Sequence, residues 1–457
     1  MTGTMEAAVR PKHGRSAPPV AAFAEVFGDQ HRRLPGSRHG EVARLRAASL
    51  DSFMAAGIPT VKAEPWKYTN VARVANLPMA LAPRADVGLN TVAEHKAGGP
   101  KARRIIFVNG HVVPGLSHVE SLPAGVRVMS LARALEETPD RVRAALDATA
   151  DDGRSFTALN AAFAAPGAWI ELEDGAALDE PLQLLFLTTG DAPSAAMTHP
   201  RNVVRLGARA RLRLIESHVA LGDGHCLTNL VNQVSLGEGA TLEHDRLQLG
   251  RDGTSLIGKS FLDLAGGSTL RQTAATLGGA LMRNENEARL LGERAECVLS
   301  GAYLPRGREH VDNLIRIHHA RPNCQSDQFF KGVLDEQARA VFAGKIIVHK
   351  DAQKTNAYQK NDNLLLSDDA EVDAKPELEI YADDVKCSHG ATVGDLDPKA
   401  LFYLRSRGLD RATAASILTF AFAAEALDRF ADATVKKQAR HAVAARLPGG
   451  AALRDIE

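Results

Sequence analysis

Ala210-Arg-Leu-Arg-Leu-Ile215, Thr241-Leu-Glu-His244 and Leu314-Ile-Arg-Ile-His318 decide the fold. In each run apolar and polar residues alternate with period two, the pattern of a strand with one buried face. The runs belong to a zone from about residue 168 to 395. A small turn phrase recurs there: Gly207-Ala-Arg-Ala210, Gly237-Glu-Gly-Ala240, Gly292-Glu-Arg-Ala295, Asp335-Glu-Gln-Ala338, then Asp351-Ala352 and Asp369-Ala370. Successive alanines are separated by 30, 55, 43, 14 and 18 residues. These are loose multiples of one or two short strands plus turns. A sandwich, a barrel and a β-solenoid all answer to such a pattern. About 230 residues is large for one sandwich, and recurrent but irregular spacing favours a β-helix, in which each coil buries its inward side chains against the next.

Both flanks look helical. Residues 20–57 are rich in Ala, Arg, Leu and Glu, with Val42, Leu45, Leu50 and Phe53 at helical spacing and Gly57-Ile58-Pro59 as a stop. Ile105–Val108 reads as a strand before the tight-turn pair Asn109-Gly110, and Ser130–Ala150 as further helix. After the β zone, Lys399–Ser406 forms a short helix closed by Gly408. Asp410 then caps a second helix carrying Ala415, Leu418, Phe422, Ala426, Leu427 and Phe430. Two readings of this C-terminal unit stand side by side. It covers the open end of a solenoid, which otherwise invites edge pairing, or it docks a partner. The expected division is a mostly helical unit over 1–150 (1–19 disordered), a β core over 151–396 and a helical unit over 397–457.

With 457 residues, 45% hydrophobic and 24% charged, the chain has the composition of a soluble globular protein. Lys+Arg and Asp+Glu are 55 each, so no overall charge draws it toward nucleic acid or a membrane surface. Its four cysteines, Cys226, Cys297, Cys324 and Cys387, form no CxxC pair, which argues against a zinc ribbon or a thioredoxin-like motif. Residues 1–19 carry no apolar run resembling a signal peptide, and no segment reaches the ~18 apolar residues of a membrane span. The expected setting is a reducing cytoplasm with free thiols. A secreted β-helical polysaccharide lyase or hydrolase fits this poorly.

Three clusters invite chemistry. Gly253-Thr-Ser-Leu-Ile-Gly258-Lys259-Ser260 satisfies the phosphate-loop spacing, but such a loop needs a helix behind it. Phe261–Gly267 reads as strand and turn, so no nucleotide site and no independent ATPase is expected. His310, His318, His319 and Cys324 lie within fifteen residues and are competent metal ligands. His318 and His319 are adjacent in a strand and face opposite ways, which favours hydrogen-bonded wall residues. In Asp383-Asp-Val-Lys-Cys387-Ser-His389, Cys387 and His389 sit two apart and point the same way if the segment is extended. A thiol beside an imidazole can bind a soft or borderline metal. No third ligand is visible locally, so such a site needs another chain.

From Ser326 to Gly408 the sequence resembles the SufB/SufD family almost phrase by phrase. The matching phrases include Phe330-Lys-Gly-Val333, Phe342-Ala-Gly-Lys345, Ala352-Gln-Lys-Thr-Asn-Ala-Tyr-Gln359, Leu364-Leu-Leu-Ser367, Pro376-Glu-Leu-Glu-Ile380, Val385-Lys-Cys-Ser-His-Gly-Ala-Thr-Val-Gly394 and Leu401-Phe-Tyr-Leu-Arg-Ser-Arg-Gly408. Upstream, Gly57-Ile-Pro59, Glu64-Pro-Trp-Lys-Tyr-Thr69 and Phe107-Val-Asn-Gly110 look like the family's N-terminal half. The unbroken Lys386–Thr392 phrase is similar to the SufD side of the family, since SufB has a His-Glu-Ala version.

The resemblance implies a mainly β protein: a right-handed parallel β-helix flanked by helical domains. It implies a scaffold subunit rather than an enzyme, pairing with SufB through the β-helices and docking the ATPase SufC, or forming a homodimer when isolated. The implied cargo is transient iron or a nascent Fe–S cluster shared with SufB, with no cofactor held stably by the isolated chain. His389 matches the family's interface histidine, which the resemblance implicates as an iron ligand, with Cys387 beside it. Phe402, Tyr403, Leu404, Arg405 and Arg407 fall in the SufC-docking region.

Overall fold

The computed structural model describes residues 19–147, 155–191, 195–448 and 450. The expected disordered tip falls, but for Pro19, outside the described residues. The N-terminal elements are α1 (Pro19–Gln30), α2 (Gly40–Ala56), α3 (Ala72–Ala75), β1 (Met79–Leu81), α4 (Leu89–Glu94), β2 (Arg103–Val108), β3 (His111–Val112), β4 (Val126–Ser130), α5 (Leu131–Glu137), α6 (Pro139–Asp147) and α7 (Ser155–Phe163). Then come β5 (Ala168–Leu172), β6 (Ala177–Thr188), β7 (Ala195–Thr198), β8 (Arg201–Leu206), β9 (Arg211–Ala220), β10 (Cys226–Leu236), β11 (Thr241–Leu249), β12 (Thr254–Leu264) and β13 (Thr269–Leu277). The stack continues with β14 (Leu281–Leu290), β15 (Glu296–Tyr303), β16 (His310–His319), β17 (Gln325–Leu334), β18 (Arg339–Val348), β19 (Asn356–Leu365), β20 (Glu371–Ile380) and β21 (Lys386–Gly394). The chain ends in α8 (Pro398–Ser406), α9 (Arg411–Leu427) and α10 (Ala433–Arg446).

From β8 onward, alternate strands fall into two parallel sheets. The first runs β8-β10-β12-β14-β16-β18-β20, the second β9-β11-β13-β15-β17-β19-β21. Each coil therefore contributes one strand to each sheet and takes about 30 residues, as from Arg211 to its partner Thr241. The protein is mainly β, a solenoid flanked by helices. Sandwich and barrel are excluded, because strand neighbours in a sheet are never neighbours in sequence along this stack.

The recurrent alanine phrase is the corner of each coil. Arg209, Gly239, Gly267, Arg294, Asn323 and Lys354 all adopt the left-handed conformation, with φ between 56° and 67°. Glycine does this freely, and the others are held there by the stack. Their amides bond to the next coil's turn carbonyls, Gly239 N–H to Gly266 O at 2.9 Å and Asn323 N–H to Gln353 O at 2.9 Å. The next residue in each, Ala210, Ala240, Ser268, Ala295, Cys324 and Thr355, is fully buried, and only a small side chain fits.

The interior packs Leu212, Leu242, Leu270, Cys297, Leu299, Ile315, Ile317, Phe330 and Phe342 into one cluster. The outer face of the second sheet is also apolar. Ile215, Leu247, Ala275, Ala302 and Val333 meet Phe420, Ala423 and Leu427 of α9, Phe430 of the junction, and Val435 and Val443 of α10. That double burial is why the alternation in these strands is imperfect. On the first sheet, Phe23, Phe53, Phe156 and Phe163 pack over Met197, Leu227, Ile257 and Leu281.

Two expectations change. The stretch before residue 150, expected to be mostly helical with a strand at Ile105–Val108, holds more strand than that: β2, the expected one, joins the second sheet through β6, and β4 closes the first antiparallel to β5. These strands cover edges that would otherwise stand open. The C-terminal helices do not cap the solenoid end. They lie along its side: of the predicted stripe, Ala426, Leu427 and Phe430 are buried against the second sheet with Phe422 beside them, joined by Phe420 and Ala423, while Ala415 and Leu418 are only half-buried. The last coil is left bare.

Candidate functional site

That bare coil carries Cys387 and His389. In the row Leu214, His244, Gln272, Leu299, Gln328, Gln359, His389, each residue is paired in register with the next. All but the last are buried. His389 is exposed because no described coil stacks beyond β21. Cys387 follows Ala357 in the adjacent inward row, so thiol and imidazole share one side of the strand, as the spacing predicts. Cys387 is half-buried against the cluster of Ile346, Val348, Ala352 and Ala357, and burial pushes its thiol upward in pKa. Among the described residues the His389 ring has no hydrogen-bond partner. The ring is open to a group from outside.

Asp383 and Asp384 do not orient it. Asp384 acts through its backbone, its carbonyl taking the Lys354 N–H at 2.6 Å and its N–H meeting Gln353 Oε1 at 2.9 Å. The rim of this last coil bears Tyr381, just after β20 and 63% exposed, and Val393 of β21, 52% exposed. Bare apolar side chains beside two unpaired strand edges mark a surface built for contact.

A second such surface is α8. Asp397 caps it, accepting from Lys399 N–H at 2.9 Å, and the helix buries none of its residues. Phe402 is 73% exposed and Tyr403 57%. Arg407 donates to the Tyr403 hydroxyl at 3.0 Å and lies over its ring. Arg405 is exposed beside them and Leu404 half-buried.

The other sequence clusters are dispersed. Gly253–Ser260 runs into β12, with Gly258 between Leu230 and Asn284 in the ladder. Lys259 is buried, its ammonium 3.0 Å from Glu285 and 2.7 Å from Glu287. A strand lysine bound to two carboxylates is not a phosphate cradle. His310 meets the Thr69 hydroxyl at 3.1 Å, His319 points inward to Ser326 Oγ at 2.9 Å, and Cys324 donates to Gly292 O at 3.2 Å. His318 faces out, so these four make no common site, and no group of three or more potential ligands occurs among the described residues.

One buried network escaped the sequence reading. Glu216 accepts from Arg246 Nε at 3.2 Å and Asn232 Nδ2 at 2.9 Å, with His218 Nε2 at 3.0 Å. Its burial would raise the carboxyl, but Arg246, His218 and, 3.5 Å away, His244 hold it well below the usual range. Charged residues at the inward positions of alternating runs, such as His244 in Thr241–His244, were the available signal.

Comparison with known proteins agrees with this architecture. The family described as SUF system FeS cluster assembly, SufBD core domain, matches residues 186–422, and the SufBD protein N-terminal region matches 20–184. The iron–sulfur cluster assembly protein SufD of Escherichia coli is 33% identical over 408 residues, covering 88% of this chain and 92% of that protein. A SufBD family protein of Synechocystis is 31% identical over 424 residues, and the chloroplastic protein ABCI7 of Arabidopsis thaliana 27% over 451. A solenoid ending in an uncovered Cys-x-His coil, matched along nearly its whole length by these sequences, belongs to the SufBD family of iron–sulfur cluster assembly proteins.

Proposed function

We propose that this chain is a non-catalytic scaffold subunit of a SUF assembly complex. Its last coil pairs with a SufB subunit, α8 docks the ATPase SufC, and His389 contributes to iron capture and nascent cluster assembly at the pair interface. The reading rests on one observation: Cys387 and His389 end two inward rows at the only described coil with nothing stacked on it. A lone imidazole and thiol cannot complete an iron site, so a partner must supply the remaining ligands. Iron is cargo here, and ATP is handled by SufC, in keeping with the ion-paired Lys259 of β12. In isolation the same two strand edges can pair with a second copy. The four cysteines are free thiols, which supports a reducing compartment such as the cytoplasm.

Co-expression with SufB and SufC followed by affinity capture tests the assembly. Recovery of both partners is expected, with Phe402→Ala plus Tyr403→Ala losing SufC alone. His389→Ala should leave the complex assembled while iron content and cluster maturation fall. Normal maturation in that variant removes His389 from the site.

A further inference from the structure

The outer face of the first sheet is covered by helices over β10–β14 and by the Glu64–Thr69 segment over β16–β20, where Thr69 meets His310 and Asp312 and Glu64 pairs with Lys375; past that cover, at the C-terminal ends of β16 and β18, two histidines meet. His318 lies at the end of β16 and His349 follows β18. His318 Nδ1 and His349 Nε2 are 3.4 Å apart, with ring centroids 5.7 Å apart and planes 27° from parallel. As a hydrogen bond this is long, since such contacts centre near 2.9–3.0 Å. As a ligand span it is apt: two metal–nitrogen bonds of about 2.0–2.1 Å at a near-tetrahedral angle separate their nitrogens by roughly 3.4 Å.

We propose that His318 and His349 form a surface site for a divalent transition ion, with solvent completing the coordination. The stack sets the spacing. His318 pairs in register with Ile347, and the His349 amide bonds to His319 O at 3.0 Å, so both imidazoles ride on adjacent strands of one ladder. Burial against the sheet, then the neighbouring His349 and arginines, lower the His318 pKa against the opposing pull of Glu287. That keeps a ring nitrogen unprotonated at neutral pH, as metal binding requires.

The surrounding charges permit a cation. Arg289 is held by both carboxylate oxygens of Asp263 at 2.6 and 2.7 Å, and Lys345 is paired with Glu379. Glu287 attracts and Arg316 opposes. His319, facing inward onto Ser326, is not a ligand. Two imidazoles with open positions suit ions high in the nitrogen-affinity order, Cu²⁺ above Ni²⁺ and Zn²⁺. The site is separate from Cys387 and His389, which lie on the second sheet.

Titrating the purified full chain carrying His389→Ala with Cu²⁺, read by electron paramagnetic resonance, tests this. One tight copper with two nitrogen couplings is expected, displaceable by excess Zn²⁺. His349→Gln and His318→Gln should each remove one coupling and weaken binding at least about tenfold, as loss of even an outer-sphere partner does. Both substitutions are at the surface, and unchanged thermal melts will show that the stack is intact. Copper bound with the same affinity and couplings in the double variant overturns the site.

Discussion

The coils around β13–β17 and the coil of β20–β21 share one backbone plan and differ in what surrounds them. Leu299 of β15 has a coil on each side, the opposite sheet across the interior and α9 over the outer face of its sheet, and it is 1% exposed. Val393 of β21 lies on the same inward-facing side, four residues further along the ladder at the end of the Tyr303, Gly332 and Asn363 row, with a neighbour on one side only, and is 52% exposed. In a solenoid each coil is stabilised by nearest neighbours. The middle is therefore saturated, whereas the end is stable only through its inner contacts and keeps its outer edge for another chain.

Paired truncations break or sharpen this contrast. Leu299→Ala should cost about 3 kcal/mol, the usual loss for a buried leucine whose cavity cannot collapse, read as a lowered urea midpoint. Val393→Ala should stay within about 0.5 kcal/mol of the parent yet weaken capture of a partner chain. Equal destabilisation by the two would mean that the terminal coil is packed like the middle.

Glycines give the same comparison through backbone proximity. A Cβ on Gly292 would lie 2.1 Å from the amide nitrogen of Gly266 in the neighbouring coil, whereas one on Gly394 meets nothing within 4 Å. Gly292→Ala should cost about 2 kcal/mol as the corner is forced apart. Gly394→Ala should be neutral in thermal melting. A neutral Gly292→Ala would show that the corner ladder yields easily.

Much of this architecture was legible in the sequence. Period-two runs and the Gly-x-x-Ala corners announce stacked strands, and Asn109-Gly110, Gly57, Gly408 and Asp410 mark their turns and caps where the structure has them. The packing direction of the C-terminal helices was not legible. Small residues line several faces of α9, and only the apolar outer face of β9–β17 decides which one docks. The Cys387-x-His389 pair was legible as two side chains facing the same way. Their exposure was not, because it depends on the absence of a further coil. The His318–His349 pair is invisible to local spacing, since a full coil separates the two residues in sequence while the ladder sets them side by side.

The smallest effect expected concerns how the helices hold the middle coils. Asp245 of β11 accepts the Asp432 N–H at 2.7 Å and the Ala431 N–H at 3.2 Å, seating the α9–α10 junction. Burial raises its pKa to about 7, against the pull of those two amides. A carboxyl raised on folding binds its proton more tightly in the native state, so this group's contribution to stability falls as pH rises from the unfolded value near 4 toward 7. Going from pH 7 to 6 should therefore gain about 1 kcal/mol at this seat. The buried histidines act the other way. His199, lowered to about 3, and His319, lowered to about 4, are neutral when folded and favour unfolding once pH drops below about 6.5. The Asp245 contribution must be read as a difference. Asp245→Asn keeps an acceptor oxygen and cannot ionise, so the parent should gain on the variant as pH falls across this window. Parallel pH profiles for the two proteins would mean that Asp245 stays ionised at the junction, its charge held by the two amides.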